Sequence, residues 1–291
     1  MTVTAATVTE GLLWPGMALR GRDQDMNFDK PENLLRALVK LRGSLDGAPA
    51  LWWYRGNQYA VVDRQPTLLW QVEGAQLGKF IARDDGSYEH VFRDVMFYLD
   101  AETSALLRQF KNPWTGQTHE VPVMRMGPFR VNHSVNGARV VMPANMPPGA
   151  MDVDWQYEPS FVQGGELYIR ELGKTRIANP AASSGKPGVS SRSHFYVNDM
   201  FTLVGKVADI EDDNPSAPAR TTYDSVNDWT PWLQMGDREG FILGRGNTSK
   251  LGAYADLPER LAKLIEADEP GFFEDPDFPV WDRGYHPLNQ D

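Results

Sequence analysis

The chain has 291 residues, 41% apolar and 23% charged, with a formal net charge of −10, so it can bury a substantial core but lacks the cation excess that phosphate backbones require. Cysteine is absent, which removes disulfides, thiolate metal sites, iron–sulfur clusters and cysteine nucleophiles. No apolar run reaches bilayer length and the opening MTVTAATVTEGLLWPG lacks the basic flank and apolar stretch of a secretory signal, so a cytoplasmic protein without nucleic-acid or membrane partners is expected.

A first helix is predicted over residues 31–41. Asp29 is placed to cap it, Glu32 to complete a capping box and Gly43 to end it, while Leu34, Leu35, Leu38 and Leu41 share one face. Segments of strand length follow, rich in β-branched and aromatic residues and punctuated by Gly and Pro: 50–54, 59–63, 67–75, 79–82, 88–99, 120–126, 138–142, 153–158, 166–172, 191–197, 201–210 and 240–244. The connectors Arg55-Gly56-Asn57 and Asp84-Asp85-Gly86 predict hairpins and therefore antiparallel pairing. Residues 179–188 read as a mobile loop and 210–219 as an acidic one. A second helix is predicted over 258–267, with Asp256 and Glu259 repeating the capping pattern and Leu257, Leu261, Leu264 and Ile265 forming its apolar stripe. From Glu269 the chain carries Phe272, Phe273, Phe278, Trp281 and Tyr285 among prolines, a tail expected to pack on the body or on a second copy as a homo-oligomer contact. The whole reads as one mainly antiparallel all-β domain over 1–291, a barrel over about 50–250 flanked by two helices and closed by that tail.

Familiar signatures fail in context. Gly244-Arg245-Gly246-Asn247-Thr248-Ser249 begins like a dinucleotide fingerprint, but Ser249 replaces the third glycine and no helix follows, so a hairpin turn is expected there. No phosphate-binding loop and no Gly-x-Ser-x-Gly elbow occurs. The five histidines, His90, His119, His133, His194 and His286, are dispersed, and no metal is expected.

Three segments carry a family resemblance. They are PENLLRALVKLRGSLDGAPALWWYRGNQYAVV with its Leu41–Gly47 run, Asn112-Pro113-Trp114-Thr115-Gly116, and Trp229-Thr230-Pro231-Trp232-Leu233-Gln234-Met235-Gly236-Asp237-Arg238-Glu239-Gly240. In this order, across roughly 30–255, the chain resembles the bacterial family catalogued as domain of unknown function 1838. The resemblance implies a lipocalin-like barrel and a place among proteins that act on lignin-derived aromatics.

The candidate chemistry comes from Ser191-Arg192-Ser193-His194-Phe195-Tyr196-Val197. On a strand Arg192, His194 and Tyr196 share one face, where Tyr and His can move protons and the guanidinium favours an oxyanion; a solvent-facing strand is the alternative. Trp53 with Arg55, and Tyr168 with Arg170, offer aromatic and basic pairs for substrate contact, although an arginine lying over a ring explains the same spacing. Trp229 and Trp232, held by Pro231, read as core packing or a ligand platform, and Asp237 as a turn residue or a general base. With thiol, nucleotide, metal and serine-nucleophile signatures absent, proton transfer remains. The expected function is a cofactor-independent lyase on a phenolic aromatic, for instance one releasing formaldehyde from a lignin-derived biaryl. A non-catalytic hydrophobic-ligand binder and an isomerase or dehydratase remain open.

Overall fold

The computed structural model describes residues 26–142 and 146–274. The strands are β1 (Ala50–Val62), β2 (Gln65–Ala82), β3 (Tyr88–Leu99), β4 (Gln109–Lys111), β5 (Thr118–Glu120) and β6 (Met124–Ser134). There follow β7 (Gly137–Val141), β8 (Met151–Gln163), β9 (Glu166–Ala178), β10 (His194–Lys206), β11 (Arg220–Asn227) and β12 (Phe241–Lys250). The helices are α1 (Pro31–Arg42), α2 (Val207–Glu211) and α3 (Glu259–Asp268).

Ten strands form one sheet in the order β7-β6-β3-β2-β1-β12-β11-β10-β9-β8, and β4 pairs with β5 separately. Every ladder is antiparallel, and β12 pairs with both β1 and β11, which curls the sheet into a nearly closed up-and-down barrel of lipocalin-like kind. The seam lies between β7 and β8, which run side by side without a hydrogen-bond ladder.

Alternation fixes what faces the lumen. Trp52, Tyr54, Gln58 and Ala60 of β1 point inward, and the register carries that face to Gln76 and Phe80 on β2 and to His90 and Asp94 on β3. On the opposite wall Glu171 of β9 stands beside Phe201 of β10, and Asp199 beside Ser225 of β11.

One end is closed by α1. Leu35, Leu38 and Leu41 pack with Trp52, Phe80, Leu167 and Leu203, and the Trp52 indole donates to the Arg42 carbonyl at 2.8 Å. Two lysines fasten this plug: Lys40 Nζ donates to the Ile210 carbonyl at 3.0 Å and the Asp212 carboxylate at 2.6 Å, and Lys250 Nζ to the Gly43 carbonyl at 2.5 Å. The other end packs Trp70, Tyr98 and Ala60 against Trp229, Trp232 and Leu233, where Pro231–Leu233 forms a 3-10 turn. A third cluster lies outside the wall, where Leu257, Leu261, Ile265 and Phe272 cover Leu51, Leu77, Val95 and Phe97.

Several local expectations give way to the tertiary structure. Arg55-Gly56-Asn57 lies inside β1 rather than at a hairpin; the reversal comes at Asp63 and Arg64, whose φ values of 51° and 62° form the primed turn that matches strand twist. The segments 67–75 and 79–82 are one strand, 194–197 and 201–206 are another that begins at His194 rather than Ser191, and 207–210 is helical. Gly244–Ser249 is likewise strand, paired on both sides, and not a turn. The segment 120–126 is split between β5 and β6, and β11 has no counterpart among the predicted strands.

The helices lie within a residue of their predicted ends, but their caps differ. Lys30 is the N-cap of α1 without a side-chain hydrogen bond, and the Asn27 side chain takes the Asp29 amide, so Asp29 does not cap. Pro258 precedes α3, and Asp256 instead accepts from the Ala253 amide. The Asp84–Gly86 turn does form, closed by Arg83 N to the Ser87 carbonyl at 2.9 Å. Of the aromatic tail, Phe272 is buried and Phe273 half-buried against the body, while Phe278, Trp281 and Tyr285 lie outside the described residues, as does the N-terminal segment. No helix among the described residues is long and apolar enough to cross a membrane.

Candidate functional site

The barrel is packed tightly at its ends and loosely in its middle. Trp70, Tyr98, Phe80 and Leu203, toward the ends, are almost fully buried. Tyr54, Asp94, Trp155, Asp199, Phe201 and Tyr223, on the same inner face, are half-buried although the wall surrounds them. Inward side chains that keep accessible surface border an internal space, and here that space is lined by rings. Trp155 and Phe201 stack at 5.7 Å, Phe201 meets Tyr223 at 5.3 Å, and across the lumen His90 stacks on Phe80 at 4.4 Å and on Phe92 at 4.6 Å.

Two carboxyls stand among these rings. Asp94 of β3 accepts from the Gln76 amide at 3.0 Å; burial pushes its pKa up to about 7, opposed only by that hydrogen bond. Asp199 of β10 lies between Trp155, which leans over Gly173, and Tyr223; burial also raises it to about 7, with the Tyr223 hydroxyl working the other way. Tyr54 and Tyr223 occupy the wall between the two acids. Burial, and then the charge of Asp94 or Asp199 respectively, holds each phenol well above its usual range.

Toward α1 the lumen carries a second polar group. Arg42 grips Glu171 through two hydrogen bonds of 3.0 and 2.8 Å, and the Trp155 indole donates to the same carboxylate at 3.0 Å. His133 Nδ1 meets the Tyr157 hydroxyl at 2.5 Å. Burial keeps both lumen histidines neutral: His133 falls to about 3, helped by Arg42, and His90 falls well below its usual value, helped by His133 and Arg42. Among the described residues no three His, Asp or Glu side chains gather as a metal site.

The side chains singled out in the sequence lie elsewhere. On β10 Phe195, Val197, Asp199 and Phe201 take the inner face, so His194 and Tyr196 project outward, and Tyr196 is 51% exposed. Arg192, just before the strand, pairs with Asp228 at 2.9 Å and borders a pocket with Phe195 and Trp229 at the barrel's end. Of the expected lumen trio, His194 and Tyr196 are therefore outer-surface residues, and Arg192 lies apart from them. The faces alternate, and the apolar one turned inward.

The other candidates are also outside the lumen. Trp53 donates to Glu73 at 3.2 Å beneath α3, and Arg55 reaches Gln71 at 2.6 Å. Tyr168 stacks on Phe161 at 4.7 Å, with Arg170 over the same ring at 5.8 Å, an outer-face cluster. Trp229 and Trp232 belong to the end packing, the first donating to the Arg238 carbonyl at 3.0 Å and the second lying 5.1 Å from Trp70. Asp237 ties down a loop, accepting from Ser190 Oγ at 2.8 Å and from the Ser191 amide at 2.9 Å and hydroxyl at 2.6 Å; the serine hydroxyls hold its carboxyl below the usual range.

The residues that sequence reasoning missed had a signal. Read at alternate positions, 195–203 gives Phe, Val, Asp, Phe, Leu, and 88–98 gives Tyr, His, Phe, Asp, Met, Tyr. Each is an apolar and aromatic stripe interrupted by one aspartate.

The chain matches the family model described as "Protein of unknown function (DUF1838)" over residues 47–279. No curated protein matches it.

Proposed function

Because the chain belongs to the DUF1838 family, whose description assigns no chemistry, we propose from the lumen itself that it is an acid–base enzyme acting on a hydroxylated aromatic molecule, with Asp94 and Asp199 as the proton-transferring pair. The observation that carries this reading is the placement of two carboxyls, each raised to about 7 by burial, in the open, ring-lined middle of a barrel packed tight at both ends. Near neutral pH each carboxyl is close to half-protonated, so one can donate while the other accepts. The rings bind a planar substrate by stacking and shape.

The finer version is a carbon–carbon lyase that releases formaldehyde from a lignin-derived phenolic biaryl. In a phenolic substrate with an aryloxy group on the benzylic carbon and a hydroxymethyl group on the next, the ionised carboxyl takes the phenol proton while the protonated carboxyl gives its own to the departing aryloxide, which leaves a neutral quinone methide. The carboxyl ionised in that step then removes the hydroxymethyl O–H proton, the carbon–carbon bond breaks and formaldehyde leaves. The bonding pair becomes the new carbon–carbon double bond, the ring regains aromaticity, and the phenol oxygen takes back its proton, so both carboxyls return to their starting states. The sequence is redox-neutral and the substrate is its own electron reservoir. His194 and Tyr196, facing outward, and Arg192, held by Asp228 before the strand, have no part in it.

The test is incubation of the purified protein with such a biaryl, with formaldehyde and the aryl product followed by mass spectrometry in wild type, Asp94→Asn and Asp199→Asn. Turnover in wild type and a loss of about 100-fold or more in each variant supports the reading. A ligand bound and returned unchanged makes the barrel a binding protein, and a product isomeric with the substrate or lighter by water makes it an isomerase or dehydratase.

A further inference from the structure

The charges of the lumen are unevenly matched. Its acids are Asp94, Asp199 and Glu171, and among the described residues the strong bases that reach it are Arg42 from α1 and Lys250 from β12. Neither base is available. Arg42 is taken by the bidentate bond to Glu171, whose side chain is itself 0% exposed. Lys250 Nζ has four acceptors for three protons: the carbonyls of Lys40 at 3.0 Å, Gly43 at 2.5 Å and Ala217 at 3.1 Å, and Ser216 Oγ at 2.7 Å. The histidines facing the space are held neutral by burial. A ligand carboxylate entering the middle would lose its water shell, meet two acids and find no free cation to offset the loss. A neutral molecule with hydroxyl groups would meet hydrogen-bonding acids and aromatic walls.

We infer that the lumen takes neutral hydroxylated aromatics and rejects aromatic carboxylates, and that Glu171 enforces this selection by occupying the Arg42 guanidinium. The inference rests on the reading of the lumen as the ligand site and names the substrate class it accepts. Glu171 is here a specificity-determining residue. Without it a buried guanidinium, whose planar fork suits a carboxylate, would stand unpaired beside Trp155 and offer an acid the partner it lacks.

The test compares 4,4′-dihydroxystilbene with 4-carboxy-4′-hydroxystilbene, two rods of nearly equal size, by titration calorimetry with the full chain at pH 8. The diol is expected to bind at least about tenfold tighter to wild type. Glu171→Gln, which keeps an acceptor for the Trp155 indole, is expected to improve carboxystilbene affinity about tenfold or more, and Arg42→Met in addition to abolish that gain. Equal affinities in wild type overturn the inference, as does a folded Glu171→Gln whose carboxystilbene affinity is unchanged. The wild-type comparison decides alone should the variant fail to fold. If neither stilbene binds, the lumen is not a ligand site and both readings fall. If the diol is preferred but no aromatic substrate is ever turned over, the enzymatic reading fails and the selectivity stands.

Discussion

Tyr54 lies directly over Gly74 on the neighbouring strand: a Cβ on that glycine would meet the tyrosine hydroxyl at 2.5 Å and run into the Val95 carbonyl. The same hydroxyl donates to the Val95 carbonyl at 3.0 Å, so Tyr54 is clamped between a backbone acceptor and a position without a side chain. Gly74→Ala is expected to collide with both the ring and the Val95 backbone, destabilising the fold by about 2 kcal/mol or more, in the range of overpacked cores. Thermal unfolding measures it. An unshifted transition would show that the ring and the neighbouring strand both give way without cost.

The two lumen acids should make stability depend on pH in a definite direction. Each has a folded-state pKa near 7 against an ordinary 3.8, so the native state holds its protons more tightly than the unfolded chain. Below pH 4 both states are protonated and the native state carries no penalty. Between about 4 and 7 the unfolded chain's carboxyls ionise while the buried ones keep their protons, so stability is lost as pH rises to and through the folded pKa, by at most about 4 kcal/mol per group. Asp199→Asn and Asp94→Asn should therefore unfold at higher denaturant than wild type at pH 8, and with little difference at pH 4. Variants less stable than wild type at pH 8 would contradict the assignment of burial as the cause.

The same pair should shape the rate. One must be protonated and the other ionised, so kcat/KM is expected to rise and fall around a maximum near pH 7. A rate flat from pH 5 to 9 would remove both acids from the chemistry.

On the outer face the expectation is silence. Tyr196→Phe and His194→Gln leave the lumen untouched, and turnover should change less than about twofold, within the effect of ordinary surface substitutions. A tenfold loss in folded variants would return the site to that face.

His133 and Tyr157 hold a different place, since they join β6 to β8 across the short strand β7. Tyr157→Phe removes one hydrogen bond, worth about 1 kcal/mol. It should also speed amide exchange in β7 and β8 more than in β1 and β2. Uniform change across the sheet would mean that the bond stabilises the fold without closing the seam.

Fold class was legible because strand periodicity and closely spaced turn signals are local, and so were α1 and α3, whose leucine stripes repeat at helical spacing. Strand continuity was less so. Gly56 looks like a turn residue, yet it sits mid-strand opposite Gly246, where two bare positions meet on the inner wall. The site was missed for a different reason: a strand has two faces, and a window ending at Val197 leaves them equally plausible. Extended to Lys206, the window sets Phe201 and Leu203 with Phe195 and Val197, and the apolar face that must turn inward brings Asp199 with it. That Asp199 and Asp94 face one lumen depends on closure of the barrel through β12, which no local pattern reveals.

That closure is incomplete, and the gap has a mechanical meaning. Anywhere else on the wall, widening the girth means pulling apart a ladder and leaving amides bare. Between β7 and β8 there is no ladder to break. The barrel is therefore a split ring, stiff along most of its circumference and compliant along one line, and a guest too wide for the resting diameter can be admitted by spreading that slit at little cost in backbone hydrogen bonds.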